Sequence, residues 1–272
     1  MPLEKVAIYG KGGIGKSVVA AHLSAELARR GLRVLHVGCD PKADSTCRLT
    51  GSPAVRTVLG AMRADPDEIA AAQIITTGRL GIDCIEAGGP EPGAGCGGRG
   101  VARAIEVIGE LRLLQGGRYD AAIFDVLGDV VCGGFAAPLR KGFAGKVLIV
   151  VSEETMALFA ANNIARAIVA NAFNGAVLAG IVVNLRSAGA AQVARVHEFA
   201  TLLGTRVVLT LERSGLISNA ERELMTVVET APGSDVASAF RELADHILRL
   251  DASPLPSPTP LEGEAFFKFA RG

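Results

Sequence analysis

Short runs of apolar residues alternate with longer segments of helical periodicity along almost the whole chain. Seven runs have the length and β-branched content of buried strands; they cover residues 5–10, 33–40, 82–88, 121–126, 146–152, 177–184 and 206–211. The clearest helical spacing lies between these runs, over residues 17–30, 100–114, 155–169 and 235–250. Strands that are apolar on both faces and separated by helices indicate an α/β fold, with a mostly parallel sheet covered by helices on both faces.

The periodic pattern stops near residue 250, where the composition changes. We therefore expect one domain over residues 1–250, followed by a proline-rich tail over residues 251–272. Four prolines in the tail exclude regular structure from its first half, which should lie extended on the surface. The final segment FFKFARG is expected to dock onto the body or a partner, or to stay disordered, because so short a segment is a weak membrane anchor.

Composition narrows the functional classes. The 272 residues include 28 basic and 28 acidic side chains, so no chain-wide positive field favours nucleic acid. Although 49% of the residues are hydrophobic, no apolar run reaches the roughly 18 residues of a membrane span. The chain passes directly from MPLEKVAIYG into a glycine-rich loop, without the pattern of a signal peptide. We expect a cytoplasmic protein that binds neither nucleic acid nor membrane.

The segment GKGGIGKS fits the GxxxxGK[ST] pattern of a phosphate-binding loop and lies between a predicted strand and a predicted helix. Backbone N–H groups of such a loop surround phosphate oxygens, which requires small side chains. Lys16 would hold the β- and γ-phosphates, and Ser17 would ligate Mg²⁺. The predicted ATP-binding residues of this segment are Gly10, Lys11, Gly12, Gly13, Ile14, Gly15, Lys16, Ser17 and Val18. The motif makes the predicted fold a single P-loop NTPase domain.

Lysine is scarce, and three of the seven lysines (Lys11, Lys16 and Lys42) occupy two short loops, which suggests a chemical role for them. The additional lysine at position 11 resembles the variant loop of a distinct ATPase class. That resemblance implies that Lys11 reaches the phosphates of a partner subunit's nucleotide, as an arginine finger does. Two such loops face each other only in a dimer, so Lys11 argues for a homodimer. The alternative is a solvated loop lysine.

Four aspartates follow predicted strands on the same sheet edge. Asp40 and Asp44 lie in CDPKADS, and Asp125 and Asp129 lie in FDVLGD. The carboxyl ends of parallel strands meet at the ligand crevice, so we expect these side chains near the phosphates. Asp125 is the natural carboxylate beside Mg²⁺, with Asp40 and Asp44 near its water ligands. Asp129 would position the attacking water, although any single aspartate here also suits a helix cap.

The cysteines suggest a second site. An odd number of five, with no CxxC pair, argues against a disulfide framework and a zinc ribbon. Cys96 and Cys132 are each followed by two glycines, whose N–H groups are sterically free to donate to a thiolate. An iron–sulfur cluster bound by four thiolates would require two copies of the chain to supply them. Either cysteine alone also suits a structural role; the others, expected to be small buried residues, are Cys39, Cys47 and Cys84.

The segments GKGGIGKS, GCDPKADST, GGPEPGAGCGGRGV, DVLGDVVCGGFA and FAANNI together resemble the nitrogenase iron protein family. The family includes nitrogenase-like reductase components, among them those of methylthio-alkane, protochlorophyllide and chlorophyllide reductases. The resemblance covers about residues 4–250. It implies a homodimer with one [4Fe–4S] cluster between subunits and MgATP in each. Such an ATP-driven reductase takes electrons from a ferredoxin or flavodoxin and passes them singly to a separate catalytic metalloprotein.

Further residue roles are implied by this resemblance alone. Arg99 would lie beside the cluster on the face that docks the catalytic partner, where some members undergo reversible ADP-ribosylation. Asn184 matches a position that recognises adenine, although an asparagine that ends a strand is also typical of a turn. Arg213 and Glu221 fall in the segment that flanks the nucleotide.

The stretch 125–132 connects the two predicted sites. We hypothesise that it works as a lever: Asp125 registers the nucleotide state, and Cys132 holds the cluster. ATP binding or hydrolysis would then move the cluster and alter its potential, as in other two-state switches.

The chain also departs from the family pattern. Val18 stands where threonine is usual, Glu212 replaces a proline, and the tail differs. None of these changes removes a predicted ligand, but they weaken the assignment of a dinitrogen-reducing partner. We expect a nitrogenase-like partner that acts on another small substrate, such as a methylthio-alkane, with nitrogenase itself as the alternative.

Two other classes share the nucleotide-binding loop. A positional ATPase of the chromosome-partition or division-site type needs no cysteine pair, but it needs a basic patch or an amphipathic anchor. An iron–sulfur carrier ATPase usually uses a CxxC pair, which this sequence lacks.

Overall fold

The computed structural model describes residues 3–65, 69–90, 95–128, 133–140, 142–187, 189–252 and 255–271. Within these ranges the strands are β1 (Glu4–Gly10), β2 (Val34–Cys39), β3 (Thr76–Thr77), β4 (Asp83–Glu86), β5 (Ala121–Val126), β6 (Lys146–Val151), β7 (Val177–Asn184) and β8 (Val207–Leu211). The longer helices are α1 (Lys16–Arg29), α3 (Val58–Ala64), α5 (Gly97–Glu110), α6 (Thr155–Ala170), α7 (Ala190–Leu202), α8 (Gly215–Arg222), α10 (Asp235–Arg249) and α11 (Gly263–Arg271). Single-turn helices are α2 (Cys47–Thr50), α4 (Ala71–Ile74) and α9 (Val227–Thr230).

The described strands form one sheet in the order β3-β4-β2-β5-β1-β6-β7-β8. All neighbouring pairs are parallel except the short β3, which runs antiparallel to β4 at the edge. The carboxyl ends of β1, β2 and β5 are adjacent in this order, so the loops that follow them meet at one edge. That edge is the expected ligand crevice of an open parallel sheet.

Successive residues of each strand enter different cores, because side chains alternate between the two faces. Val6 and Ile8 of β1 join the core under α1 and α10. Ala7 and Tyr9 of the same strand join the larger core under α5, α6 and α7. Both faces are therefore covered, which confirms the predicted α/β architecture.

The seven predicted strands are all present, and β5 and β7 have the predicted bounds. The predicted helices correspond to α1, α5, α6 and α10, with ends shifted by up to four residues. Helix α7 and the two-residue β3 were not predicted, since their apolar patterns are weak.

The tail contacts the body. Residues 255–262 have no regular structure, as expected, but the last segment forms α11. Phe266 of α11 is 1% exposed and its ring lies 5.3 Å from that of Phe159. Asn162 of α6 forms two 2.8 Å hydrogen bonds with the backbone of Leu261. Docking of the final segment onto the body is thus confirmed, whereas its helical structure was not predicted.

Candidate nucleotide and cluster-binding sites

The loop between β1 and α1 requires glycine at two positions. Gly10 has φ 150°, and a Cβ there would overlap the carbonyl oxygen of Val150 in the adjacent strand. Gly15 has φ 102° immediately before α1, and a Cβ there would overlap the side-chain amide of Asn184. Larger residues would therefore displace the loop from β6 and β7.

Three side chains hold the loop's shape. The Nζ of Lys16 donates to the carbonyl oxygen of Lys11 over 3.1 Å, and Lys16 is 7% exposed. From outside, the Nδ2 of Asn184 donates to the carbonyl oxygen of Ile14 over 2.8 Å. Arg186 donates to the carbonyl oxygen of Gly13, also over 2.8 Å. These side chains bond carbonyl oxygens of the loop and do not compete with an anion for its N–H groups.

A cavity of about 370 Å³ opens over this loop. Its lining residues that the sequence predicted are Gly12, Gly13, Gly15, Lys16, Ser17, Val18, Asp40, Lys42, Asp44, Asp125 and Glu221. The remaining lining residues were not singled out; these are Cys47, Arg48, Val126 and Leu127. The described lining does not include Lys11, which is half-buried at the loop tip, or Arg213, which is exposed.

Asp125, at the carboxyl end of β5, is 4% exposed. Its Oδ2 accepts a 2.6 Å hydrogen bond from the hydroxyl of Ser45, while Oδ1 has no hydrogen-bond partner. Burial raises the pKa of the Asp125 carboxyl, and the nearby hydroxyls of Ser17 and Ser45 together with the charge of Lys16 oppose that rise. A buried carboxylate oxygen without a donor is costly unless a cation neutralises it. The donor set of Ser17 and Asp125 therefore suits Mg²⁺.

The loop after β2 brings two more carboxylates to the cavity. The backbone N–H of Lys42 donates to Oδ1 of Asp40 over 2.9 Å, which closes a tight turn. Ala43 follows in the left-handed region with φ 53°, which is uncommon for alanine. This turn places Asp40, Lys42 and Asp44 in the lining.

The side of the cavity is closed by an ion pair between an unpredicted arginine and the predicted Glu221. Arg48 of α2 is 8% exposed and forms an ion pair with Glu221 of α8. The two residues are 173 positions apart in the sequence, so no local pattern could have revealed the pair. Cys47 precedes Arg48 and is half-buried in the lining.

Cys96 lies at the amino terminus of α5 and is exposed. The N–H groups of the first turn of a helix stabilise a thiolate, and Gly97 and Gly98 leave access to them. Arg99 of the same turn is also exposed. The arrangement suits ligation of a cluster by Cys96.

The nucleotide loop and the cysteine region are in direct contact. A Cβ at Gly97 would lie 2.8 Å from Cγ of Pro41, and a Cβ at Gly89 would overlap the Pro41 ring. On the other side, a Cβ at Gly134 would overlap the carbonyl oxygen of Gly98. The residues before and after Cys96 therefore pack against the loop that carries Asp40 and Lys42.

Cys132 and Asp129, together with residues 130 and 131, lie outside the described residues. The lever hypothesis for residues 125–132 therefore remains a prediction. The segment resumes at Gly133, and its next residue makes the contact with Gly98 described above.

The other described thiols are protected. Burial raises the pKa of Cys84 to about 12, and it also raises the pKa of Cys39. Burial also raises the pKa of Cys47. Because the thiolate is the metal ligand, these cysteines are poor candidates for cluster binding.

Among the described residues, no helix combines the length and hydropathy that a membrane crossing requires.

Comparisons with known proteins identify the family to which the chain belongs. Residues 4–270 match the family described as 4Fe-4S iron sulfur cluster binding proteins, NifH/frxC family. A nitrogenase iron protein of Methanospirillum hungatei is 41% identical over 99% of this chain and 95% of its own length. Nitrogenase iron protein 2 of Methanothermobacter thermautotrophicus is 45% identical over 99% of this chain and 98% of its own length.

Solved structures share the fold at lower identity. The septum site-determining protein MinD of Pyrococcus horikoshii, complexed with Mg-ADP, superposes with a TM-score of 0.71 at 19% identity, over 91% of this chain and 96% of its own. A ParA family ATPase of Chlorobium tepidum superposes with a TM-score of 0.70 at 16% identity, over 92% of this chain and 100% of its own. These neighbours confirm the predicted P-loop NTPase-like fold. The family match confirms the resemblance expected from the motifs and, with it, the iron–sulfur cofactor. This chain belongs to the NifH/frxC family of 4Fe-4S iron–sulfur cluster-binding proteins.

Proposed function

We propose that this chain is the ATP-hydrolysing reductase component of a nitrogenase-like system. It acts as a homodimer that holds one [4Fe–4S] cluster between its subunits. MgATP hydrolysis is coupled to transfer of single electrons to a separate catalytic metalloprotein. The proposal takes its class from the nitrogenase iron proteins that are 41–45% identical to this chain.

One contact supports the proposed coupling between nucleotide and cluster. Pro41, between Asp40 and Lys42 of the cavity lining, lies against Gly97, which follows Cys96. A change in the nucleotide loop must therefore be accommodated by the residues that present this thiol, because close-packed groups cannot move independently.

The nucleotide side is assigned to residues of the cavity. Loop N–H groups and Lys16 hold the phosphates, and Ser17 and Asp125 hold Mg²⁺, which stabilises charge on the transferred phosphoryl group. Lys11 is absent from the described lining of its own subunit's cavity, which supports a role at the partner subunit's nucleotide. Asp129 orients the attacking water.

The cluster side is assigned to Cys96 and Cys132 of both subunits. When bound, the cluster supplies a one-electron redox centre. Gly97 and Gly98 expose the helix N–H groups that stabilise the Cys96 thiolate. One chain offers two ligands, so the site is complete only in a dimer.

Partners follow from this assignment. A ferredoxin or flavodoxin in the cytoplasm donates the electrons. The acceptor is a nitrogenase-like catalytic protein that acts on a small substrate such as a methylthio-alkane, or nitrogenase itself. Arg99, exposed one turn from Cys96, belongs to the docking face.

The two other ATPase classes are less well supported. A partition or division-site ATPase shares the fold, but its similarity of 16–19% identity extends to the fold alone. A carrier that transfers clusters to other proteins would lose its iron during turnover.

Iron and acid-labile sulfide are measured per dimer after anaerobic purification, alongside the ATPase rate and the dimer mass. We expect about four of each per dimer, with loss of both in Cys96→Ala and Cys132→Ala. Cys47→Ala, which removes a half-buried thiol, is the matched control and should keep its iron. A folded, ATP-binding protein without iron after reconstitution would overturn the reductase assignment, and loss of iron during reductive turnover would favour the carrier.

A further inference from the structure

Four buried polar side chains from separate elements form one hydrogen-bonded row. The hydroxyl of Ser24 on α1 lies 2.8 Å from Nδ1 of His36 on β2. Nε2 of His36 lies 2.9 Å from the hydroxyl of Ser45, in the loop after β2. Ser45 in turn lies 2.6 Å from Oδ2 of Asp125. None of the four is more than 4% exposed, so water does not compete for these bonds.

The chemistry of the row fixes the direction of each bond. The hydroxyl of Ser45 donates to Oδ2 of Asp125, so its proton points to that oxygen. The oxygen of Ser45 must then accept from Nε2–H of His36. Burial lowers the pKa of His36 to about 3, so the imidazole is neutral and carries one ring proton. Nδ1 of His36 is left as an acceptor for the hydroxyl of Ser24.

We propose that His36 is a positioning residue for the magnesium side of the nucleotide site. It keeps Ser45 aimed at Oδ2 of Asp125, so that Oδ1 remains directed to the metal. This inference rests on the proposed function, because it assumes that MgATP binds in the cavity described above. It adds a residue that lies outside the cavity lining and acts only through Ser45.

The unpaired Oδ1 of Asp125 supports this proposal independently of the bonds of His36. Among the described residues, Oδ1 is one of the few buried side-chain atoms without a hydrogen-bond partner. Were Ser45 free to rotate, its hydroxyl could leave Oδ2, and the carboxylate would lose the donor that fixes its orientation. A histidine that donates to Ser45 from the opposite side removes this freedom, because it occupies the acceptor lone pair of the same hydroxyl.

Substitutions of His36 distinguish a positioning role from a role in packing alone. The side-chain amide nitrogen of glutamine reaches the position of Nε2, so His36→Gln retains a donor to Ser45. Asparagine reaches only the position of Nδ1, and leucine offers no donor. If His36 only packs, the Mg²⁺ enhancement of ADP binding should vary among the variants with side-chain volume and polarity. If His36 positions Ser45, the enhancement should depend on whether the variant keeps a donor at the position of Nε2.

The test measures the dissociation constant of ADP with Mg²⁺ and with EDTA, for wild type, His36→Gln, His36→Asn and His36→Leu. Loss of an outer partner of a metal ligand typically weakens metal binding roughly 10- to 100-fold. We expect the enhancement by Mg²⁺ to fall by that factor in the asparagine and leucine variants. Binding without metal should stay within about twofold, and glutamine should restore most of the enhancement. His246→Leu, which removes an imidazole bonded to Ala179 on β7, is the control and should leave the enhancement unchanged.

A second measurement does not depend on folding of the leucine variant. The ¹⁵N chemical shifts of His36 in the wild-type protein should report a neutral ring protonated at Nε2, and Ser24→Ala should weaken that preference. A ring protonated at Nδ1, or an unchanged Mg²⁺ enhancement in folded His36→Asn, would overturn the proposal. Absence of any MgADP binding by wild type would instead reject the proposed function, so the two failures are distinguishable.

Discussion

Pro41 lies against Gly97, the residue that follows Cys96, so that a Cβ at position 97 would come within 2.8 Å of the proline Cγ. The proline belongs to the turn that places Asp40 and Lys42 in the nucleotide cavity. The turn that we propose contacts nucleotide and the helix end that we propose presents a cluster ligand thus share one van der Waals surface.

Gly97→Ala should disturb this coupling without removing a ligand. The added methyl group must push either the nucleotide loop or the first turn of α5, since the Pro41 ring is rigid. We expect the iron content to be retained, while the spectral change that MgATP induces in the cluster is reduced by about half or more. The spectrum is recorded by electron paramagnetic resonance with and without nucleotide.

The control for this substitution is Gly109→Ala on the same helix, where the new Cβ would lie 3.4 Å from Phe143. Pro41→Ala removes Cγ, so the double variant with Gly97→Ala should recover part of the response. A normal MgATP response in Gly97→Ala would show that this contact does not transmit the nucleotide state.

Asp125→Asn should remove much of the metal-dependent activity. Asparagine still accepts the hydrogen bond of Ser45, but a neutral amide oxygen binds Mg²⁺ more weakly than a carboxylate. We expect ATP hydrolysis to fall roughly 10- to 100-fold, with little loss of metal-free ADP binding. Asp120→Asn, just before the other end of β5, is the matched control because this carboxylate bonds only the backbone N–H and guanidinium of Arg33 among the described residues, away from the cavity. Hydrolysis at the wild-type rate in Asp125→Asn would exclude this carboxylate from the magnesium site.

Glu86 should make stability fall as the pH rises from about 4.5 to 8. Its carboxyl is 0% exposed, and burial raises its pKa to about 8 from an ordinary 4.5. Between these values the folded state holds a proton on Glu86 that the unfolded state releases, so the contribution of Glu86 to stability declines with pH and levels off above 8. The full effect is on the order of 3–5 kcal/mol.

Glu86→Gln should therefore flatten this decline, because a neutral amide still accepts the 2.7 Å hydrogen bond from the Thr46 N–H. Urea unfolding at several pH values between 5 and 8.5 measures the slope. Glu223→Gln, on an exposed glutamate, should keep the wild-type slope. Parallel pH profiles for wild type and Glu86→Gln would contradict burial of a protonated carboxyl.

Phe266→Ala should destabilise the fold although only six residues follow it in the chain. The ring is 1% exposed and packs between Phe159 and Phe199, and burial of this kind is typically worth about 3 kcal/mol. Phe267→Ala, on a neighbouring ring that is 57% exposed, is the control. Equal urea midpoints for the two variants would mean that α11 does not contribute to the stability of the domain.

The local pattern of apolar and polar residues was sufficient to predict much of this structure. Strand β5 has the predicted bounds because AAIFDV is apolar on both faces, and that pattern suits a central parallel strand. The phosphate loop was equally readable, since a strand, glycines, Lys16 and a helix follow one another directly.

Other features depend on residues that are remote in sequence. The ion pair of Arg48 with Glu221 and the contact of Pro41 with Gly97 appear only once the sheet order is known. Helix α11 follows a proline-rich segment, and its position depends on aromatic rings of α6 and α7. His36 carried one usable signal, a polar residue in the otherwise apolar strand RVLHVGCD, but its partners were not evident from that strand.

The coupling between nucleotide and cluster is tested most directly by the electron paramagnetic resonance spectrum of the reduced dimer, recorded anaerobically without nucleotide and with saturating MgATP. We expect one [4Fe–4S] signal per dimer that disappears in Cys96→Ala and whose line shape changes when MgATP binds. An unchanged spectrum, with MgATP occupancy verified in the same sample, would show that nucleotide and cluster are not coupled.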